Sequence, residues 1–406
     1  MLEGVTPESL DMDARQLARV GDHLRTRYIE PGKIPGCLTL VSRAGKACYL
    51  DVQGHADVER ATPMREDTIL RIYSMSKPIT SLAMMTLFER GLFVLDDPVH
   101  RFIPAWRDLR VWSGGSYPLF ASEPTRRPMT IRDLLRHTSG LTYDFMRATN
   151  IDYAYRKMQV GFPRPGYTLE AMISELGELP LEFSPGERWN YSLATDVLGY
   201  LIEVISGQPL EQYLRSTIFE PLGMHDTAFA IAPDKVERFA SCYERNLNKE
   251  MVLQDDGQNS RFADVSFISG GGGLISTLGD YHRFCQMLLG GGTLEGSRII
   301  GSRTLAYMTR NHLPGGADMT EFATGSFSES AYEGVGFGLG FATRLDPVAN
   351  GHPASSGSFY WGGLASTLFW VDPAEELVVL FMTQLMPSST FDFRGQLENM
   401  VYAALR

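Results

Sequence analysis

Residues 364–385 contain two runs with no polar face, "LASTLFWVD" and "ELVVLFMTQL", joined by "PAE". Two such runs read as strands of one tight antiparallel hairpin. A strand that is apolar on both sides needs cover on both sides, so the hairpin belongs in the middle of a sheet flanked by helices. That requirement limits the chain to a layered α/β arrangement and excludes a helical bundle or an open antiparallel meander.

The remaining strand signals lie at the two ends of the chain. "CLTLVSRAGKACYLDVQG" (37–54) holds two β-like runs around Ala44-Gly45-Lys46, a hairpin signal, and "YEGVGFGLGFATR" (332–344) reads as a glycine-interrupted strand. Residues 7–30 read as an amphipathic helix, with Leu10, Leu17, Val20 and Leu24 at helical spacing. "FDFRGQLENMVYAALR" (391–406) reads as a closing helix. From about residue 81 to 290 the pattern is mainly helical: "TIRDLLRHTSGL" is capped by Thr130 and runs to Gly140, "ATDVLGYLIEVISG" closes on Gly207, "QPLEQYLRSTIFEPLG" is interrupted by Pro221, and "GDYHRFCQMLLGGG" ends on glycines. Long loops at about 108–128, 143–168 and 245–262 separate these pieces. The expected plan is one α/β domain, 1–80 with 265–406, whose sheet takes strands from both termini, and a mainly helical domain over 81–264.

Composition narrows the function classes. With 44% hydrophobic and 21% charged residues over 406 positions, the chain can bury a large core. A net charge of −11 argues against binding to nucleic acid or anionic lipid. The first residues show no basic start followed by an apolar run, and no stretch is long enough to span a bilayer. Cys37, Cys48, Cys242 and Cys285 stand far apart and read as reduced, buried thiols of a cytoplasmic protein. The eight histidines make no metal-ligand spacing, so neither a metal nor another cofactor is expected.

"RIYSMSKPITSLAMMTLFERG" (71–91) carries the chemistry. Ser74 and Lys77 are three apart, so both lie on one helical face. Pro78 is tolerated only in a first turn, which starts the helix at or just after Ser74 and sets the serine at the positive end of the helix dipole. The rest of the helix is almost wholly apolar and therefore buried, so Lys77 should lose water and become a usable base for a serine that needs one. Ser-x-x-Lys alone has a plainer reading as a capped helix end. Two distant segments add weight: "SPGERWNYS" places Tyr191 ahead of a buried helix, and Trp361-Gly362-Gly363 opens a core strand.

Together with "LLRHTSGL" and "GGGGLISTLGDYHRF", these motifs in this order resemble the class C β-lactamase and penicillin-binding-protein serine hydrolases, more narrowly the family VIII carboxylesterases. The resemblance spans nearly the whole chain. It implies the β-lactamase-like fold, a central antiparallel sheet flanked by helices with an inserted all-helical domain. It also implies an acyl-enzyme on Ser74, with Lys77 as proton partner and Tyr191 as second acid or base. The backbone N–H groups of Ser74 and Leu364 would form the oxyanion hole, and Trp361, Gly362, Gly363 and Tyr143 would bind substrate. Penicillin-recognising relatives have Tyr-x-Asn and Lys-Thr-Gly; here stand Tyr191-Ser192-Leu193 and Trp361-Gly362-Gly363. A neutral aromatic cannot hold a drug carboxylate, so the implied substrate is a small-molecule ester with a small to medium, uncharged acyl group. A transacylase, a β-lactamase or a D-amino-acid peptidase would use the same groups. Assembly as a homo-oligomer is left open.

Four features have plainer readings. His137 organises a loop, Asp196 orients polar groups or answers a helix dipole, and Met75, Met84 and Met85 are core. The glycines of "SGGGGLIS" serve close packing behind the site, since no Gly-Lys-Ser/Thr phosphate signature follows.

Overall fold

The computed structural model describes residues 4–324 and 332–406; residues 1–3 of the expected 1–80 part and 325–331 of the expected 265–406 part lie outside them. An eight-stranded, wholly antiparallel sheet forms the centre. Its N-terminal strands are β1 (Gly36–Arg43), β2 (Lys46–Asp57) and β3 (Thr62–Pro63); its C-terminal strands are β4 (Val335–Phe337), β5 (Ala342–Arg344), β6 (Phe359–Gly363), β7 (Thr367–Asp372) and β8 (Leu377–Thr383). The order is β4-β5-β6-β7-β8-β1-β2-β3, so the two chain ends meet where β1 pairs with β8, Cys37 opposite Thr383 and Arg43 opposite Leu377. The β1–β2 turn at Ala44 and Gly45 has positive φ at both residues, the geometry whose twist matches a two-residue hairpin.

Every residue of β7 and β8 is buried, because helices cover both faces. On one face lie α1 (Ala14–Leu24) and the C-terminal helix Phe393–Tyr402, joined by His23 Nε2 to Gln396 Oε1 at 2.7 Å, with Phe393 against Phe381 of β8 at 4.8 Å between ring centres. On the other lies the helix Leu278–Leu289, with Tyr281 against Phe369 of β7 at 5.2 Å and His282 Nε2 2.9 Å from Ser42 Oγ of β1. Strand alternation assigns Phe381 and Phe369 to opposite faces, which is why neither run shows a polar periodicity. Each buried large side chain adds roughly 1.5–3 kcal/mol, so the double cover is the main source of cohesion.

The structure departs from the sequence reading in four places. The segment read as one helix over 7–30 is broken: a 3₁₀ turn covers Pro7–Leu10, Asp11 takes φ 53°, and α1 starts at Ala14 behind the Asp13 cap. The 332–344 segment is two short strands, β4 and β5, because Gly340 turns the chain at φ 99° and lies so close to Ser81 that a Cβ would come 2.4 Å from it. The helix capped by Thr130 ends at Leu135, well before Gly140, and His137 takes φ 57°. Hairpins appear where loops were expected: Arg110–Ser116 with Leu119–Pro124 lies inside 108–128, and Cys242–Arg245 with Met251–Asp255 reaches into 245–262. The first is largely exposed on both faces, so no apolar alternation marks it.

Two further helices position the site. They are α2 (Ser76–Glu89) and α3 (Ala194–Ser206), packed against each other in the core. No helix of the described residues is long and apolar enough to cross a membrane.

Candidate active site

Ser74 sits in a short 3₁₀ turn, Tyr73–Met75, that runs straight into α2. Tyr73 just before it has φ 41°, a left-handed value that costs a non-glycine residue on the order of 1–3 kcal/mol and persists only when neighbours enforce it. The end of β6 supplies that enforcement: a Cβ on Gly363 would lie 2.3 Å from the Ile72 carbonyl oxygen, so strand and turn are in direct backbone contact. Lys77 and Pro78 fall in the first helical turn, as proline's missing N–H requires.

The three expected side chains meet. Lys77 Nζ is 3.2 Å from Ser74 Oγ, and the Tyr191 hydroxyl donates to the same Oγ at 2.7 Å. Lys77 and Tyr191 are almost wholly buried, while Ser74 keeps some exposure at the cleft. The ammonium also donates to the Gly271 carbonyl at 2.6 Å and lies 4.5 Å and 5.2 Å from the ring centres of Tyr191 and Tyr143. Buried charge is tolerated only with such partners. Tyr191 is held at the end of the Asn190 segment: Asn190 N–H donates to the His137 carbonyl at 2.9 Å, and its side-chain amide donates to Leu141 O and Glu182 Oε2. His137 is fully buried, with Nδ1 3.2 Å from Ser192 Oγ and its ring 5.1 Å from that of Tyr191. Burial first, and the nearby Lys77 charge second, hold His137 well below the ordinary imidazole range. It is a neutral buttress behind Tyr191.

A cleft of about 1270 Å³ opens over Ser74, lined by Lys77, Tyr143, Phe145, Tyr191 and Leu364 among others. Among the described residues, the backbone N–H groups of Ser74 and Leu364 have no hydrogen-bond acceptor, which leaves both available to a substrate oxygen. Tyr143 stacks on Phe145 at 4.7 Å and forms an aromatic wall.

Three sequence expectations need correction. Trp361 does not reach the cleft: it is fully buried, packed 5.5 Å from the Tyr191 ring and 5.4 Å from Phe337. Gly362 and Gly363 do not line the cleft either. A Cβ on Gly362 would meet the Thr367 carbonyl at 3.2 Å, so both glycines serve chain-to-chain approach to β7 and to Ile72. The residues that occupy the wall there are Leu364 and the 387–389 turn. Conversely, the run from Gly270 to Gly273 is part of the site and not packing behind it. Gly271, Gly272 and Gly273 line the cleft, and Gly271 holds Lys77. Thr80 Oγ1 donates to Gly270 O at 2.7 Å, and Ser76 Oγ accepts from Leu274 N–H at 3.1 Å, so hydroxyls of α2 tie the run in place. The hydroxyls of Ser76 and Thr80, one helical turn apart on an otherwise apolar helix, were the available signal for this docking.

A hydroxyl held between an amine and a phenol, at the start of a buried helix beside an antiparallel sheet, is the architecture of serine enzymes that pass through an acyl-enzyme. The chain belongs to the Beta-lactamase family, whose profile matches residues 22–401. It is 34% identical over 367 residues to Protein Rv1367c of Mycobacterium tuberculosis, covering 89% of each chain. It is 33% identical over 392 residues to Esterase EstB of Burkholderia gladioli, covering 93% of each. Among solved structures it is similar to EstCE1, described as a hydrolase with promiscuous acyltransferase activity, with TM-score 0.79, 27% identity and coverage of 98% of this chain and 99% of that one.

Proposed function

We propose that Ser74, Lys77 and Tyr191 carry out ester hydrolysis through an acyl-enzyme, in a carboxylesterase of the β-lactamase-like fold. The observation that carries this reading is the pair of contacts on one oxygen, Lys77 Nζ at 3.2 Å and Tyr191 Oη at 2.7 Å from Ser74 Oγ. With Lys77 as the free amine, Ser74 Oγ attacks the ester carbonyl carbon and its proton passes to Lys77 Nζ, 3.2 Å away. The carbonyl oxygen gains charge beside the free N–H groups of Ser74 and Leu364; one such donor is worth about 10²–10³ in turnover. The alkoxide takes a proton from the Lys77–Tyr191 pair and leaves as the alcohol. Water repeats the sequence on the acyl-enzyme and releases the acid.

The acyl group is small to medium and uncharged. Trp361 occupies the place of the drug-binding lysine and is buried, so that position offers no charge. The domain reading stays as proposed, 1–80 with 265–406 around the sheet and 81–264 as the mainly helical part. Free, buried thiols at all four cysteines support a cytoplasmic setting.

A second reading, transfer of the acyl group to an alcohol or amine, draws support from the cleft: about 1270 Å³ exceeds what a short ester fills. Partition separates the two. With p-nitrophenyl butyrate as donor, an added alcohol should leave acid as the main product of a hydrolase and yield mostly the new ester from a transferase. If Ser74→Ala releases p-nitrophenol as fast as wild type, both readings fail.

A further inference from the structure

Asp196 lies on α3, five residues after Tyr191, and is 1% exposed. A carboxylate so deeply buried needs partners. Its Oδ1 accepts from Ser269 Oγ at 2.5 Å and from the Gly271 N–H at 3.1 Å. The carbonyl of the same glycine receives the Lys77 ammonium at 2.6 Å. A Cβ on Gly271 would stand 2.5 Å from Asp196 Oδ2 and 3.1 Å from the Tyr143 hydroxyl, so carboxylate, glycine and phenol are in van der Waals contact with no room between them.

We infer that Asp196 is a positioning residue for the nucleophile: it clamps Gly271, whose carbonyl aims Lys77 at Ser74, and it supplies the negative charge that balances the ammonium. This rests on the Ser74–Lys77–Tyr191 reading above. The groups facing Lys77 include Ser74 just before its own helix, the Gly271 carbonyl, the rings of Tyr143 and Tyr191, the neutral His137 and the Asp196 carboxyl. Among the described residues lining the cleft, Asp196 is a buried carboxylate. The other charged residues lining the cleft, Arg147, Arg164, Arg261 and Asp264, are at least partly exposed. Burial holds the Asp196 carboxyl above its ordinary range, and the Lys77 ammonium offsets only part of that rise. A carboxylate near an amine favours the amine's protonated form and makes it the stronger base. A stronger base drives the transfer from Ser74 further, at the cost of needing a higher pH to be free of its own proton.

The test is the pH profile of labelling by a fluorophosphonate, which reads the Ser74 attack without deacylation. Asp196→Asn keeps an oxygen for Ser269 and Gly271 but removes the charge. Its acid limb should move down by about one pH unit, the low end of the effect of a neighbouring opposite charge, and its plateau rate should fall about tenfold. Ser269→Ala removes one hydrogen bond and keeps the charge, so its limb should stay in place. If Asp196→Asn does not fold, Asp196→Ser supplies a smaller acceptor for Gly271 and the same readout. A lowered plateau with an unmoved limb in the Asp196 variant, or equal limb shifts in the Asp196 and Ser269 variants, would overturn the inference. Absence of labelling in wild type would instead sink the Ser74 reading, so the two failures are distinct.

Discussion

Glu182 offers a stability test that works on the scaffold under Tyr191. Its carboxylate accepts from Thr149 Oγ1 at 2.6 Å and Asn190 Nδ2 at 3.1 Å, so it links the start of the 150–158 helix to the residue before Tyr191. Burial is the largest influence on it and, aided by the Asp152 charge, pushes its pKa from 4.5 up to about 7 against the pull of its hydroxyl partners. An acid whose folded pKa is raised stabilises the fold in its protonated form. That contribution is complete below the unfolded value and is lost as pH rises through about 7. Between pH 5 and pH 8 the loss amounts to about 2–3 kcal/mol, since each pH unit over which the folded state holds the extra proton is worth a little over ~1 kcal/mol. Glu182→Gln cannot ionise, and it turns an amide toward one of the two donors, which costs about 1 kcal/mol at every pH. The variant should therefore lie within about 1 kcal/mol of wild type at pH 5 and be the more stable protein by about 1–2 kcal/mol at pH 8. Equilibrium urea unfolding at the two pH values, on material shown to refold, measures this. A mutant-minus-wild-type difference that is the same at both pH values would refute the account of Glu182.

Three more substitutions bear on the site. Tyr191→Phe deletes the 2.7 Å donor to Ser74 Oγ and should lower kcat by about 10²–10⁴ with KM little changed, as steady-state hydrolysis of p-nitrophenyl butyrate will show. Gly271→Ala forces a methyl within 2.5 Å of Asp196 Oδ2; it should cost about 1–3 kcal/mol of stability as overpacking and displace the Lys77 contact, read together as a lower thermal midpoint and a slower labelling of Ser74. Trp361→Lys, which restores the β-lactamase residue type, should not create a lactamase. It removes a fully buried ring, a loss of about 3–5 kcal/mol, and buries an ammonium in its place, so a nitrocefin assay should stay blank while the protein unfolds at lower denaturant.

The sheet was legible because both faces are covered. Runs such as the one that became β8 are apolar throughout and can be placed nowhere else. The nucleophile was legible because Ser74, Lys77 and Pro78 are local to one helical turn. Asp196 and the glycine run were harder. Their roles depend on contacts 73 to 194 residues apart in sequence, Ser269 to Asp196 and Gly271 to Lys77, and no local period encodes such contacts. Trp361 was misassigned for a related reason. A β-strand sends alternate side chains to opposite faces, so matching its position in a motif did not reveal that its ring points behind Tyr191 and not toward the substrate. The exposed hairpin at 110–124 left no signal because neither of its faces is buried.

The most direct measurement is rapid acid quenching during turnover of p-nitrophenyl butyrate, followed by peptide mass spectrometry. The structure calls for a butyryl group on the peptide that contains Ser74, formed as p-nitrophenol is released and absent from Ser74→Ala. An acyl group found on any other residue, or release that continues unchanged in Ser74→Ala, would contradict it.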